Sequence, residues 1–516
     1  MIKDIQIVLT AEEAAKKELY TAKIAEFLSI ETEEISGVKI VKRSIDARKA
    51  RVKILMRAEV FIGEEMTQDE PELHYPDVSN KEAVIIVGSG PAGLFAALRL
   101  IELGMKPIIL ERGKEVRARK LDIAKINRES IVNPDSNYAF GEGGAGTFSD
   151  GKLYTRSKKR GNVQSVLKIL QQHGADPDIM VDAHPHIGTN KLPRIIQQIR
   201  ESIIHAGGEF HFNHRVDEFI IKNKQIKGVR VDEKSFEAKA VVLATGHSAR
   251  DIYELLHKNN ILLEAKSFAM GVRIEHPQKL IDQIQYHCRI RDDYLPAAAY
   301  SLVQQVDGRG VYSFCMCPGG FIVPAATSEN EVVVNGMSPS RRDSKYANSG
   351  MVVEIRTEDL SQYKEYGVLA GLQFQKEYEQ MAFRNGGIGL VAPAQRMLDF
   401  VKGKVSNNLP DTSYQPGIIS SPMHMWLPEH IGKRLQEGFK IFGKKMHGYL
   451  TNDAVIIGVE SRTSSPLRIP REKESLQHPE IKGLFPCGEG AGYAGGIVSA
   501  AVDGQRVAEA IVEKLS

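Results

Sequence analysis

The stretch "AVIIVGSGPAGLFAALRLIELGMKPIILERG", residues 83–113, limits the fold more than any other part of the chain. A buried apolar run ends at Gly88, Gly90 and Gly93. A helical pattern follows, closed near Gly104, and a second apolar run ends at Glu111. Gly88 permits a tight turn. Gly90 leaves room for a pyrophosphate to approach the backbone, and Gly93 lets the helix pack close to the strand. The helix N-terminus offers free N–H groups and a positive dipole end to phosphates. Glu111, at a strand end, can accept from both ribose hydroxyls of an adenosine and would repel a 2′-phosphate. Strand, glycines, helix, strand and acid fall in register, so the chain is read as an α/β protein with a dinucleotide site.

This fingerprint does not separate NAD from FAD. Two later stretches bear on the choice. "FHFNHRVDEFIIKNKQIKGVRVDEKSFEAKAVVLATGHSARD" reads as three short strands ending in "VVLATG". "IKGLFPCGEGAGYAGGIVSAAVDGQRVAEAIVEKL" reads as a strand, a Gly-rich turn with Glu489, and a closing helix. With residues 82–113, these pieces resemble the FAD-binding domain of the large glutathione-reductase-type flavoprotein superfamily. The stretches "FGEGGAGTFSDGKL", "FAMGVRIEHPQ", "YSFCMCPGG", "GVESRTSSP" and "PCGEGAGYAGGIVSAAVDG" narrow the resemblance to a bacterial family described as FAD-dependent dehydrogenases of unknown substrate.

That resemblance implies non-covalent FAD. It implies that Val216 contacts the adenine through its backbone and that Glu489 holds the middle of the cofactor. It also implies that the last helix, starting near Gly496, aims its N-terminus at the flavin pyrimidine edge, where reduced flavin is anionic. The expected cofactor contacts are Gly88, Gly90, Pro91, Ala92, Gly93, Glu111, Arg112, Gly143, Gly144, Gly146, Thr147, Val216, Ala244, Thr245, Gly246, Gly488, Glu489, Gly495, Gly496 and Ile497. Disulfide reductases of the superfamily carry a Cys-x₄-Cys pair and a second, nucleotide-binding fingerprint. Neither is present here, so NAD(P)H, if it is the reductant, would enter the substrate cavity directly.

Length sets the rest of the organisation. A chain of 516 residues is more than one core usually serves. Residues 1–62 read as a small β-α-β-β module, with Thr10 and Glu13 as a capping box. Residues 63–82 read as a linker. The FAD-binding domain is expected at 83–250 and 454–516, interrupted by an α+β substrate domain at 251–453. The module carries eight Lys or Arg between Val38 and Arg57, either a docking face for nucleic acid or a partner, or a solvated strand face. A net charge of +3 does not by itself indicate nucleic acid, which is not the expected partner. The apolar stretches are too short for a membrane span. Four cysteines and no signal-peptide pattern at "MIKDIQIVLT" place the chain in a reducing cytoplasm.

"VYSFCMCPGG" holds two of the cysteines. On a regular strand Ser313, Cys315 and Cys317 share one face and Tyr312, Phe314 and Met316 the other. Such cysteines sit about 6.6 Å apart, too far for a disulfide unless the strand bends. A lone Cys-x-Cys lacks the ligands of a structural zinc site, and no metal is expected. Three readings remain: packed thiols, a thiol facing substrate, or a redox pair.

Candidate catalytic residues are Arg462, Cys317 and His276. Arg462, in "GVESRTSSPLRIPR", can fork a carboxylate or stabilise reduced flavin; the alternative is a hydrogen-bonded loop. His276, in "GVRIEHPQ", is a candidate acid, and Arg273 with Glu275 a candidate carboxylate site or a structural ion pair. The leading expectation is an FAD-dependent oxidoreductase transferring a hydride at flavin N5 to or from a small, anionic molecule. An RNA-modifying flavoprotein and a non-catalytic FAD-stabilised scaffold are the alternatives. Oligomeric state is not legible.

Overall fold

The computed structural model describes residues 1–49, 51–66, 73–155 and 161–515. Part of the expected linker, residues 67–72, lies outside the described residues. The N-terminal module is an antiparallel sheet of Ile2–Leu9, Lys53–Ile62 and Ile35–Asp46, in that spatial order. Thr10 and Glu13 form the expected capping box. The expected single helix is two, Ala11–Ala15 and Lys17–Leu28, because Lys16 takes an extended conformation between them.

Strand Ala83–Val87 is the middle of a five-stranded sheet. Its neighbours are Lys106–Leu110 and Val241–Leu243, with Glu209–His211 and Leu484–Pro486 outside them, all parallel. Val84, Ile85 and Ile86 are fully buried, as expected of a parallel sheet covered on both faces. Helix Ile497–Leu515 packs along helix Pro91–Glu102. A Cβ at Gly504 would lie 2.1 Å from the Ala92 carbonyl oxygen, so only glycine allows this approach. Three antiparallel strands, Glu218–Lys222, Gln225–Val231 and Lys234–Glu237, complete this domain.

The inserted domain is built on a seven-stranded sheet. Phe268–Pro277 is central, with Tyr346–Ile355 and Val455–Glu460 on either side. This corrects the expected boundary: Val455–Glu460 pairs with the inserted sheet and not with the FAD-binding sheet. Its six residues are all buried, so hydrophobicity alone does not say which sheet it joins. The strand that carries the two cysteines belongs to this sheet as well. Arg309–Cys317 pairs with Tyr346–Ile355; only the following segment, Phe321–Pro324, pairs with Val334–Met337.

The module is anchored to the FAD-binding domain at Arg43. Its guanidinium binds Asp182 at 2.8 Å and Asp178 at 2.7 Å. Its backbone N–H donates to the Val181 carbonyl, and its carbonyl accepts from Ala183. Other basic side chains of the module are paired as well: Arg57 with Asp4 and Arg48 with Asp46. Among the described residues, no helix is long and apolar enough to cross a membrane.

Candidate functional site

The fingerprint loop forms one end of a long cleft between the FAD-binding and inserted domains. Gly88 has a φ of 101°, and a Cβ there would meet the Ala244 carbonyl at 2.6 Å. A Cβ on Gly93 would lie 2.0 Å from the Gly88 carbonyl. These two glycines serve close packing. Gly90 is different: a Cβ there meets no protein atom within 4 Å. It opens onto the cleft at the N-terminus of helix Pro91–Glu102. Gly246 and Gly496 are likewise open, and Gly496 precedes the N-terminus of helix Ile497–Leu515. Backbone N–H groups at such termini attract negative charge.

Glu111 is buried at the cleft wall. One carboxylate oxygen accepts from the Ser89 N–H and hydroxyl, the other from the Gly113 and Gly141 N–H groups. The acid therefore ties the fingerprint loop to the Gly-rich turn.

The Gly-rich turn lies against the fingerprint. Gly143 donates to the Ser89 carbonyl at 3.0 Å, and a Cβ on Gly144 would lie 3.0 Å from the Gly90 Cα. Arg119, which sequence reasoning missed, holds this turn. Fully buried, it donates to the carbonyls of Asn137, Tyr138, Glu142 and Gly144. Burial lowers its pKa to about 10. Its only signal in sequence is a basic residue in the helix after the second strand.

Of the expected contacts, Gly88, Gly90, Pro91, Ala92, Glu111, Arg112, Gly144, Gly146, Val216, Ala244, Thr245, Gly246, Glu489, Gly496 and Ile497 line the cleft. Gly93, Gly143, Thr147 and Gly488 stand behind its wall, and Gly495 faces a neighbouring cavity. The Arg112 guanidinium is taken by Asp135 and Asp251 and stacks on Phe140. Glu489 accepts from the Gly496 N–H, which braces the entry to the last helix, and lies 3.5 Å from His247.

At the other end the inserted domain closes the cleft with Val323, Asn335 and the two cysteines. The strand carrying them does not alternate as expected. A bulge falls between Phe314 and Cys317, where β-pairing skips a residue, and Cys315 has a φ of 42°. This left-handed turn leaves Cys315 open to solvent and buries Cys317 completely. Cys317 Sγ lies 3.7 Å from Arg273 Nη2 and 3.8 Å from Lys152 Nζ. Arg273 also binds Glu460 at 2.8 Å and the Cys315 carbonyl at 2.7 Å. The expected Arg273–Glu275 site is not formed: Glu275 accepts from the backbone and hydroxyl of Ser413.

Arg462 lines the cleft, but its N–H groups are committed. They reach Glu379 at 2.9 and 3.2 Å, Glu331 at 3.2 Å and Thr327 at 2.7 Å. Arg250 binds the same two carboxylates. Burial and the neighbouring Glu379 raise the Glu331 pKa. For Glu379, burial acts upward but Arg250 and Arg462 outweigh it, and the net shift is down. The arrangement is a buried four-member charge cluster. His276 is a correction: fully buried, it stacks on Tyr449 and donates to its carbonyl at 2.8 Å. It lines neither the cleft nor the neighbouring cavity. Alternation along the strand turns it to the face opposite Arg273.

A second cavity, of about 990 Å³, adjoins the cleft. Lys152 and Cys315 line both. Lys152 was also missed by sequence reasoning: a single Lys in "SDGKL" carries no motif. Backbone pairing with His186 fixes its position.

Family models match along most of the chain: a domain of unknown function (DUF8436) at residues 1–61, a pyridine nucleotide-disulphide oxidoreductase domain at 82–252, and an FAD-dependent protein C-terminal domain-like region at 267–463. A Clostridium beijerinckii protein described as "Uncharacterized protein" is 42% identical over 512 residues, 95% of each chain. The chain belongs to this family of FAD-dependent flavoproteins. Its fold is the Rossmann-like α/β fold, and its cofactor is FAD. The flavoprotein also resembles, over shorter spans, the Escherichia coli "Probable electron transfer flavoprotein-quinone oxidoreductase YdiS", 26% identical over 32% of this chain and 37% of that one. A thiamine thiazole synthase of Methanococcus maripaludis is 26% identical over 35% of this chain and 61% of that protein. The open backbone at Gly90, Gly246 and Gly496, between two helix N-termini, fits the cofactor: it provides uncrowded N–H groups for a pyrophosphate and an anionic ring edge. At the family level the flavoprotein is an FAD-dependent oxidoreductase.

Proposed function

We propose that the flavoprotein oxidises or reduces a small molecule held in the second cavity, next to the end of the FAD cleft closed by the inserted domain. Bound FAD supplies the two-electron chemistry, exchanging a hydride at flavin N5. The observation that carries this reading is that Lys152 and Cys315 line both spaces. A molecule in the second cavity is thus separated from the cleft by side chains rather than by a sheet. Glu489 and the Gly495–Gly496 turn orient the last helix so that its N-terminus faces the cleft, where negative charge develops. NAD(P)H, as reductant, would use the same cavity. Non-covalent cofactor binding and a cytoplasmic setting belong to this reading; four unpaired thiols support the latter.

The RNA-modifying alternative gains no support, since Arg43, Arg48 and Arg57 are engaged by carboxylates. The test is anaerobic addition of NADH, NADPH and a metabolite library to the holoprotein, following flavin absorbance. Bleaching by one reductant and recovery with one acceptor is the expected result. Holoprotein whose flavin only dithionite reduces would overturn the reading.

A further inference from the structure

The second cavity carries charge that the described protein groups do not balance. Lys152 Nζ is 3.8 Å from Asp150 Oδ2, beyond ordinary N–H···O hydrogen-bond length. Its other neighbour, the Cys317 sulfur at 3.8 Å, is a weak acceptor. Asp150 Oδ2 is already held by Arg342 at 2.7 Å. Arg342 also lines this cavity, and its buried Nε has no acceptor among the described residues. Two cations thus face one carboxylate, whose Oδ1 is itself unpartnered among the described residues. The acid that lines this cavity, Asp503, is bound by Arg471 at 2.6 and 3.0 Å and by the Gly488 N–H, so it does not offset them.

The backbone is strained here too. Arg342 and Cys315, both on the cavity wall, have positive φ, 51° and 42°. Non-glycine residues adopt this region at a cost and keep it where the surroundings demand it. The apolar part of the wall is aromatic: Phe314 and Tyr300 inside, Tyr154 and His184 in ring contact at 4.9 Å near the opening. Flat faces of this kind suit a flat ligand.

We propose that the second cavity binds an aromatic or conjugated carboxylic acid, its carboxylate held by Lys152 and Arg342 and its planar body by the aromatic wall. This rests on the cavity being the substrate side, and it transfers the anion-binding role expected of Arg462 to residues with free donors. Arg342 supplies a rigid fork and Lys152 a point charge. Lys152 keeps its proton: burial opposes the charge, but Cys317 and Asp150 outweigh it and raise the pKa of the ammonium.

The experiment is calorimetric titration of the holoprotein with cinnamate and with cinnamyl alcohol, its neutral counterpart. Cinnamate should bind, and the alcohol at least about tenfold more weakly, the usual loss of a charge-assisted contact. Lys152→Met should weaken cinnamate by about tenfold or more and leave the alcohol unchanged, while Lys152→Arg retains most of the affinity. Arg342→Met is the second variant, and FAD content with a melting curve shows that each variant is folded. No cinnamate binding at millimolar concentration, equal binding of acid and alcohol, or cinnamate affinity indifferent to Lys152→Met would overturn the proposal. These outcomes leave the oxidoreductase reading intact, because that reading fails on flavin reduction and not on anion affinity.

Discussion

The Arg119 guanidinium donates to the Gly144 carbonyl at 2.8 Å, and Gly144 in turn rests on the Gly90 backbone. One buried cation in a helix therefore sets the height of the Gly-rich turn over the fingerprint loop. Arg119→Met would strand four carbonyls, each costing about 1–3 kcal/mol if left unpaired. The expected outcome is loss of FAD together with a drop in stability above about 3 kcal/mol, measured by flavin content and denaturant unfolding. Arg119→Lys should not rescue it, because an ammonium cannot span the four acceptors.

Gly90→Val should behave in the opposite way. Gly90 has an ordinary φ of −68°, and a Cβ there meets no protein atom within 4 Å. The variant should fold as stably as the apo wild type and fail to hold FAD. Stoichiometric flavin in the purified variant, at unshifted affinity, would contradict the site.

The Glu331–Glu379–Arg250–Arg462 cluster makes stability depend on pH. The Glu331 pKa is raised above its ordinary 4.5 in the folded protein. The stability it contributes is therefore present in acid and lost as pH rises through the folded value. Glu331→Gln fixes the uncharged form, so its stability relative to wild type should improve from pH 5 to about pH 7, the folded value, and level off above it. Arg462→Ala should be costly, about 3–5 kcal/mol, since it leaves buried carboxylates short of a partner. Chemical unfolding across this pH range checks both.

His276 has the other sign. Burial, only partly offset by its bond to Tyr449, lowers its pKa from 6.5 to about 4. The unfolded chain takes up a proton that the native protein refuses, so stability falls as pH drops from 6.5 toward 4. The loss is about 3 kcal/mol and should be absent in His276→Gln, with FAD content unchanged in both. If flavin reduction falls in that variant while stability does not, His276 acts in the chemistry after all.

Thiol reagents should distinguish the two cysteines of the bulged strand. Cys315 is open and Cys317 and Cys487 are buried. In the folded protein Cys315 and the half-buried Cys288 should label first, and the other two only on denaturation. Titration before and after reduction should give the same thiol count. An extra pair appearing on reduction would make the strand a redox site.

The dinucleotide half of the molecule is legible because its chemistry is local. Gly88, Gly90, Gly93 and Glu111 lie within one strand–helix–strand unit, and their spacing alone puts them at one strand end. The other half is assembled from distant segments. Lys152 meets Cys317, and Arg462 meets Glu331 and Glu379, only after the inserted sheet has formed. No periodicity encodes those meetings. The bulge at Cys315 also escapes an alternation rule, which assumes a regular strand. Arg273 and Glu275 share a strand face and so look like partners, yet each has a nearer one, Glu460 and Ser413.

The anchoring of Arg43 has a consequence for how such a chain can be inherited. Its strand is joined by backbone hydrogen bonds to residues 181–183, and the same segment continues to His186, which pairs with Lys152. The small module is thus stitched, one segment removed, to the wall of the second cavity. It is not a detachable bead. A gene that exchanged or shed it would alter the pocket as well, so module and flavoprotein body are expected to travel through evolution as one unit.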